Sequence, residues 1–203
     1  FNGVAGLSVP YSAGGSAIRP TDMFRMMAGD DEFYINHFQQ VGKAEKEIEV
    51  DIRQWLLGFY WCLSGDIENG PNVGLVTKGR TLKEKFMYPE VMPEWMTEQD
   101  LDVYTNEFTY SGFFGPLNRY RNVDRDWEDL AAFTGQPITI PSMFVGGEKD
   151  GPTIWGAASI AKFNETLPNL FKSEILPGAG HWIQQERAEK TNELLLAFLD
   201  SLK

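Results

Sequence analysis

The sequence predicts an α/β protein in which a parallel sheet is interrupted by a helical insertion. Short apolar segments typical of strands occur at residues 4–9 and again at 138–145 and 171–176. The last two alternate with helical patterns, whereas the long region after the first strand is mostly helical. This order, one strand, then helices, then βαβα, indicates parallel strands joined by crossover helices.

The first part of the chain contains a predicted strand, a loop and a long helix. Residues 4–9 are apolar and end before Pro10, as in a buried parallel strand, although periodicity alone does not distinguish them from a piece of helix. Residues 12–20 are rich in serine and glycine and predict a loop. From 43 to 64, apolar side chains recur at three- and four-residue steps and Gly65 follows, which predicts one helix with a core-facing side.

The later elements begin with a capped helix. Thr97 precedes an acidic first turn and Gly112 marks the end of the helix, and another helix is expected from Pro116. The acidic stretch at 124–129 is typical of a solvated helix start with salt bridges. The rest of the chain is predicted as a strand at 138–145, a polar turn at 146–151, a helix at 153–164, a strand at 171–176, a loop at 177–181 and a terminal helix at about 187–202.

Composition excludes several classes of function. The 203 residues contain 18 Lys and Arg against 29 Asp and Glu, and the net charge of −11 disfavours nucleic acids and anionic membrane surfaces as partners. One cysteine, Cys62, and two histidines, His37 and His181, exclude an internal disulfide, a Cys-rich zinc or iron–sulfur site and an HExxH motif. We therefore expect no metal and no cofactor. No apolar run approaches the roughly 20 residues of a membrane-spanning helix and no signal peptide opens the sequence, so a soluble, cytoplasmic protein is predicted.

Asp150 and His181 are the strongest candidates for chemistry. Each lies in a glycine-flanked loop directly after a predicted strand, and the carboxyl ends of neighbouring parallel strands meet at one edge of a sheet. A carboxylate bound to one imidazole nitrogen fixes the tautomer and leaves the other nitrogen as a general base. The alternative is that Asp150 is only a turn residue and His181 only part of a loop. The pairing of the two favours the catalytic interpretation.

Other motifs are weaker or absent. His37 lies among aromatic residues with no strand end nearby, so a structural or surface role is favoured over that of a base. The sequence contains no Gly-x-Ser-x-Gly elbow and no glycine-rich phosphate loop. A base and its orienting acid are thus predicted without a nucleophile or an oxyanion hole.

Four segments carry a resemblance to a known family. They read EFYINHFQ at 32–39, FFGPLNRYRN at 113–122, EKD at 148–150 and GHWIQQE at 180–186. In this order and spacing they resemble the first cap tyrosine segment, the second cap segment, the acid loop and the base loop of α/β-hydrolase-fold epoxide hydrolases. These enzymes open epoxides to vicinal diols. The resemblance implies a partial α/β-hydrolase fold, parallel strands with a helical cap, in which residues 1–20 and 136–203 form the core and 21–135 the cap.

The resemblance also implies a role for each matching residue. Tyr34 and Tyr120 would point from the cap into the site and hydrogen-bond the epoxide oxygen as the acid. An aspartate would attack the epoxide carbon to form an ester, which His181 and Asp150 would hydrolyse by activating water. Phe38, Trp182 and Ile183 are the expected walls of an apolar pocket for a small epoxide. Without the resemblance, ordinary packing would be the preferred interpretation of both tyrosines.

The sequence departs from the family in one respect. The His-Gly-x-Pro motif and the nucleophilic aspartate, which precede the equivalent of the first strand in the family, have no counterpart here. We therefore expect the chain to come from a longer polypeptide, or to act beside one that supplies the missing half; a homodimer is also possible. Two other interpretations remain open: a haloalkane or haloacid dehalogenase of the same fold, and a binding protein that has lost its nucleophile.

Overall fold

The computed structural model describes residues 1–68, 70 and 72–203. The chain forms two compact units. The first, unit 1, consists of Phe1–Gly15, Leu63–Glu68 and Phe133–Lys203, and the second, unit 2, of Ser16–Cys62 and the described residues of Asn69–Ala132. No helix in the described chain is both long enough and apolar enough to span a bilayer.

The regular elements are numbered along the chain. The strands are β1 (Val4–Leu7), β2 (Glu32–Phe33), β3 (Leu75–Val76), β4 (Ser142–Gly147) and β5 (Leu170–Leu176). The α-helices are α1 (Pro20–Ala28), α2 (Tyr34–Gln39), α3 (Lys43–Ile48), α4 (Ile52–Cys62), α5 (Glu98–Ser111), α6 (Phe114–Arg121), α7 (Val123–Asp129), α8 (Gly151–Trp155), α9 (Ala157–Ile160), α10 (Phe163–Thr166), α11 (Ile183–Glu186) and α12 (Ala188–Ser201).

Unit 1 is built on a parallel sheet in the order β1-β4-β5. Val4 pairs with Ser142 at one end of the ladder, and Gly147 pairs with Leu176 at the other. Every residue of β4 is buried, as expected for the central strand of a sheet covered on both faces. Met143 and Val145 pack into one cluster with residues of α11 and α12, whereas Phe144 packs with Phe163 and Leu167 in another. The alternation along β4 therefore places a core on each side of the sheet.

Unit 2 is helical apart from the short antiparallel pair β2–β3. An aromatic cluster surrounds Trp55 of α4, whose ring lies 4.8 Å from Phe59 and 5.4 Å from Phe86 between ring centres. Thr97 begins α5 with a capping box, since its hydroxyl accepts from the Asp100 N–H while the Asp100 carboxylate accepts from the Thr97 N–H. The capped start and the glycine end predicted for this helix are both confirmed.

The predicted strands of unit 1 are confirmed with shifted boundaries. The strand predicted at 138–145 begins only at Ser142, because Pro141 has no N–H to donate to a ladder. The first strand ends at Leu7, before Ser8, whose positive φ of 64° turns the chain out of the sheet. The last strand begins one residue earlier than predicted and ends at the predicted residue. The terminal helix is one residue shorter than predicted at each end.

The single helices predicted at 43–64 and 153–164 are wrong in extent. In the first, α3 and α4 are separated by a break at 49–51, where the Asp51 carboxylate accepts from the Gln54 N–H and starts a new helix. The second is divided into α8, α9 and α10, with Gly156 at the first junction. The helix expected from Pro116 begins two residues earlier, at Phe114. Periodicity gives the buried side of such segments but does not show where side-chain caps interrupt them.

The cap predicted at 21–135 includes residues 63–68, and in the structure these residues group with unit 1. The Leu63 carbonyl accepts from the His181 N–H at 2.9 Å, and the Lys149 ammonium donates to the Gly65 carbonyl at 2.6 Å. Backbone contacts of this kind leave no apolar signature in the sequence.

Candidate active site

Three loops meet at the carboxyl edge of the sheet in unit 1. Ser8 follows β1, Asp150 follows β4 and His181 follows β5. The His181 Nδ1 lies 2.8 Å from the Asp150 Oδ1. The loops of Asp150 and His181 are predicted to converge because their strands are neighbours, and the structure brings the two side chains together as expected.

Asp150 combines the two interpretations that the sequence left open. It caps α8, since its Oδ2 accepts from the Thr153 N–H at 3.2 Å and from the Thr153 hydroxyl at 2.8 Å, while its Oδ1 faces His181. The carboxylate is only 1% exposed. A buried carboxylate held on both oxygens is a rigid acceptor, so it can orient the imidazole and stabilise its protonated form.

The imidazole of His181 keeps one nitrogen free. Its side chain is about one quarter exposed, at 26%. Among the described residues Nε2 has no hydrogen-bond partner, while Nδ1 is bound to Asp150. This is the arrangement that a general base requires, with the tautomer set by the carboxylate and the other nitrogen available for a proton.

Ser8 is a further residue of this edge that the sequence analysis did not identify. Its hydroxyl donates to the His181 carbonyl at 2.7 Å, and its own N–H donates to the Val145 carbonyl at 2.8 Å. A serine at positive φ is conformationally costly, and such residues persist where surrounding contacts hold them. A serine directly after an apolar strand was the available signal, but only the structure shows its partner.

Tyr34 and Tyr120 form an aromatic pair in unit 2. Their rings lie edge to face with centres 5.7 Å apart, and Phe38 packs on both at 5.6 and 5.2 Å. Within the described part of the chain, neither phenol oxygen has a hydrogen-bond partner. Two free donors are thus held side by side by the packing of their rings.

The environment keeps both phenols protonated. Burial raises the pKa of Tyr34 strongly, the nearby Tyr120 raises it further, and Arg119 opposes the shift. Burial likewise raises the pKa of Tyr120, again opposed by Arg119. Both side chains therefore remain hydrogen-bond donors throughout the neutral and mildly alkaline range.

Two side chains tie the helices that carry the tyrosines. Gln39 of α2 donates to the Tyr120 carbonyl at 2.9 Å. Arg121 of α6 donates to the Phe38 carbonyl at 2.9 Å and forms an ion pair with Glu45 at 2.7 Å. One bond thus runs from α2 to the Tyr120 carbonyl on α6, and the other runs from α6 to the Phe38 carbonyl on α2. The two helices that carry the tyrosines are therefore held together in both directions.

The expected pocket walls lie in different surroundings. Phe38 is buried beside the two tyrosines in unit 2. In unit 1, the Trp182 ring packs edge to face on the His181 imidazole with centres 4.8 Å apart. Ile183 is fully buried and belongs to the hydrophobic cluster of Met143 and Val145.

His37 is a structural residue in unit 2. It is 2% exposed, with Nδ1 at 3.0 Å from Glu32 and Nε2 at 2.9 Å from Glu47. A neutral imidazole carries one N–H, so only the imidazolium can donate to both carboxylates. Burial alone would raise the pKa of Glu32, but hydrogen bonds from Lys43 and His37 outweigh it and lower the pKa. With both nitrogens engaged, His37 is not placed to act as a base.

A metal site is not formed by side chains in the regions described. No three His, Cys, Asp or Glu groups among those residues converge so that they could hold an ion. Cys62 is buried, its thiol lies 3.6 Å from the Met87 carbonyl, and burial raises its pKa. A raised thiol pKa disfavours the thiolate that nucleophilic or metal-binding cysteines require.

Comparison with known proteins identifies relatives over the whole chain. Epoxide hydrolase B of Mycobacterium tuberculosis is 40% identical over an alignment that covers 99% of this chain and 65% of the relative. Epoxide hydrolase A of the same organism is 33% identical, with 98% of this chain and 62% of the relative covered. The chain thus spans about two thirds of the length of these relatives. No protein-family model matches it.

Solved structures show the same relationship. An epoxide hydrolase from an endophytic Streptomyces superposes with a TM-score of 0.94 at 50% identity and covers all of this chain, which spans 61% of that protein. Epoxide hydrolase A from Mycobacterium thermoresistibile gives a TM-score of 0.87 at 37% identity, with 62% of its length covered. The resemblance expected from the sequence is therefore confirmed, as is the partial α/β-hydrolase fold.

Proposed function

We propose that this chain carries the acid and base machinery of an epoxide hydrolase. The premise is that all of its length is homologous to α/β-hydrolase-fold epoxide hydrolases. The substrate would be a small apolar epoxide and the product a vicinal diol. Because the chain spans only about two thirds of its relatives, we assign the complete reaction to a protein that also supplies an attacking aspartate from outside these 203 residues.

The observation that carries the proposal is the pair of unpartnered phenols at Tyr34 and Tyr120. An epoxide that opens develops negative charge on its oxygen, and two preorganised O–H donors stabilise that charge better than one. A dehalogenase of the same fold would need donors for a halide ion, for which paired tyrosines are a poorer match. The phenols therefore favour epoxide opening over dehalogenation.

The first chemical step would open the ring. A carboxylate oxygen of the aspartate attacks an epoxide carbon, the carbon–oxygen bond of the ring breaks, and its electron pair passes to the epoxide oxygen. One phenol gives its proton to that oxygen while the other donates a hydrogen bond. The products of this step are a hydroxyalkyl ester of the aspartate and one tyrosinate.

The second step would hydrolyse the ester. The His181 Nε2 takes a proton from water, whose oxygen attacks the carbonyl carbon of the ester. The bond from that carbon to the diol oxygen breaks, and the alkoxide takes the proton of the newly formed carboxyl group, which releases the diol and regenerates the aspartate carboxylate. Asp150 stabilises the imidazolium through the 2.8 Å contact at Nδ1. The imidazolium then gives up its proton, and the tyrosinate takes up a proton and becomes the phenol again. One epoxide and one water thus yield one diol.

Replacement of the base tests this mechanism. In a complete protein that includes this chain, His181→Ala should allow the ester to form but slow its hydrolysis, so incubation with an aromatic epoxide should add the mass of the epoxide to the protein. Intact-mass spectrometry would detect the adduct. Tyr120→Phe should slow adduct formation by roughly 10²-fold, as expected for the loss of one donor to a developing oxyanion.

Three results would contradict the proposal. Rapid turnover by the His181→Ala variant without an adduct would exclude the assigned base. Release of halide from a haloalkane, together with no action on epoxides, would favour the dehalogenase. If neither substrate reacts with the complete protein, the chain belongs to a binding protein rather than an enzyme.

A further inference from the structure

A single buried carboxylate holds the loop that carries His181. The Glu186 Oε2 accepts from the N–H groups of Gly65 and Gly180, each at 2.8 Å, and its Oε1 accepts from the Trp182 N–H at 2.9 Å. Glu186 is 8% exposed. The N–H groups of the residues before and after His181 therefore donate to the same side chain.

The local fold explains how Glu186 reaches these groups. It is the last residue of α11 and lies four residues, about one turn, after Trp182, so its side chain can fold back towards the start of the helix. Gly65 and Gly180 meet backbone to backbone, since a Cβ on Gly65 would overlap the Gly178 carbonyl and lie 2.7 Å from the Gly180 nitrogen. A side chain on Gly65 or Gly180 would clash with the facing backbone, and the Glu186 carboxylate bridges the N–H groups of the two glycines.

We propose that Glu186 is a positioning residue for His181. This inference rests on the proposed function, in which His181 is the base. Hydrogen bonds from N–H groups to an ionised carboxylate are stronger than those to a neutral acceptor, so three of them restrict the loop closely. The main chain of His181 is thereby fixed at the point from which its Nδ1 reaches Asp150.

A role in folding alone would give a different result from a role in positioning. If Glu186 only stabilised unit 1, its loss would lower stability but leave the contact between His181 and Asp150 intact. If it positions the loop, its loss would loosen that contact even in a folded protein. The hydrogen-bonded proton on the His181 Nδ1 is therefore the appropriate readout, because it requires no substrate.

The test uses Glu186→Gln in the complete protein that includes this chain, labelled with ¹⁵N. The carboxamide has one oxygen, so at least one of the three N–H groups would face an NH₂ donor instead of an acceptor. Long-range ¹H–¹⁵N spectra report both nitrogens of each imidazole, and samples of His181→Asn and His37→Asn identify the signals of these two histidines. We expect the unmodified protein to show a downfield Nδ1 proton on His181, and the variant to lose it and mix the two tautomers. The His37 signals in unit 2 should be unchanged.

Thr191→Val is the matched control. The Thr191 hydroxyl is buried and donates to the Ile183 carbonyl at 2.9 Å, so its removal weakens the contact between α11 and α12 without touching the loop. This variant should lower stability yet keep the Nδ1 proton. If Glu186→Gln does not fold, Glu186→Asp, whose carboxylate is one methylene shorter, should show the same loss.

The outcomes separate this inference from the proposed function. Retention of the Nδ1 proton in a folded Glu186 variant would overturn the positioning role and leave the function untouched. Loss of the proton in that variant, with no epoxide turnover by the complete protein, would support the positioning role and contradict the function. An unmodified protein without an Nδ1 proton on His181 would overturn both.

Discussion

At the residue scale, the site depends on groups whose partners come from distant parts of the chain. Asp150 and His181 could be predicted because each follows a strand, and adjacent parallel strands bring their ends together. Ser8 and Glu186 could not, because their bonds are made to backbone groups that have no sequence signal of their own. Sequence patterns thus indicate the candidate reactive groups, whereas the groups that hold them in place are visible only in the tertiary fold.

The tyrosine pair leads to a prediction about pH. Burial raises the pKa of Tyr34 above the ordinary value of 10.0. A group whose pKa is raised on folding contributes stability that is complete below its unfolded pKa and is lost as pH rises towards the folded value. The free energy of unfolding should therefore fall between about pH 8 and about pH 11, and Tyr34→Phe should reduce this fall. Urea unfolding at both pH values would measure it.

Tyr110→Phe provides the control for this experiment. The Tyr110 ring is 94% exposed, so its replacement should leave the fall in stability as it is in the unmodified chain. An equal reduction by both substitutions would show that the buried environment of Tyr34 is not the cause.

At the scale of elements, helix packing follows the apolar pattern, whereas helix ends follow local capping. The side of 43–64 that carries Trp55 and Leu56 is buried as predicted, yet the helix is broken by the Asp51 cap. The apolar positions on both sides of the break keep the three- and four-residue spacing, so periodicity alone could not reveal it. The effect of adding a Cβ to a glycine within a helix likewise depends on the elements packed against that helix.

Two helical glycines of unit 2 give opposite predictions. In α4, a Cβ on Gly58 would lie 2.7 Å from the Phe86 ring and 2.9 Å from Tyr88, so Gly58→Ala should lower the free energy of unfolding by about 1–2 kcal/mol through overpacking. In α6, nothing lies within 4 Å of a Cβ on Gly115, so Gly115→Ala should raise it by about 0.5 kcal/mol through helix propensity.

Urea unfolding followed by tryptophan fluorescence would compare the two variants. Because both substitutions add the same methyl group to a helix, their difference isolates the packing of Phe86 against α4. A Gly58→Ala variant as stable as the Gly115→Ala variant would show that the Phe86 ring moves aside at no cost.

At the scale of the whole molecule, the two edges of the sheet differ. The β5 edge carries Lys172 and Glu174, which form an ion pair at 2.5 Å, and charged side chains on an edge strand oppose pairing with another strand. The β1 edge is formed by the uncharged residues 4–7, and among the described residues no strand pairs with its outer side. Beside it, a cavity of about 220 Å³ is lined by mostly apolar side chains, including Val4, Phe144 and Phe163. This edge therefore offers unpaired backbone N–H and C=O groups to another strand.

The open edge predicts that the 203-residue chain associates with itself when it is produced alone, because an uncovered apolar strand pairs readily with a second copy. Val4→Lys should reduce this association, since a charged side chain on an edge strand opposes pairing with another strand. Val103→Lys is the matched control: it makes the same change at an exposed position of α5 in unit 2, so it alters the net charge equally without altering the sheet edge.

Sedimentation velocity over a range of protein concentrations would measure the fraction of dimer and larger species. An equal effect of both substitutions would mean that general charge repulsion, not the β1 edge, controls association, and a chain that stays monomeric at every concentration would show that the edge is already protected.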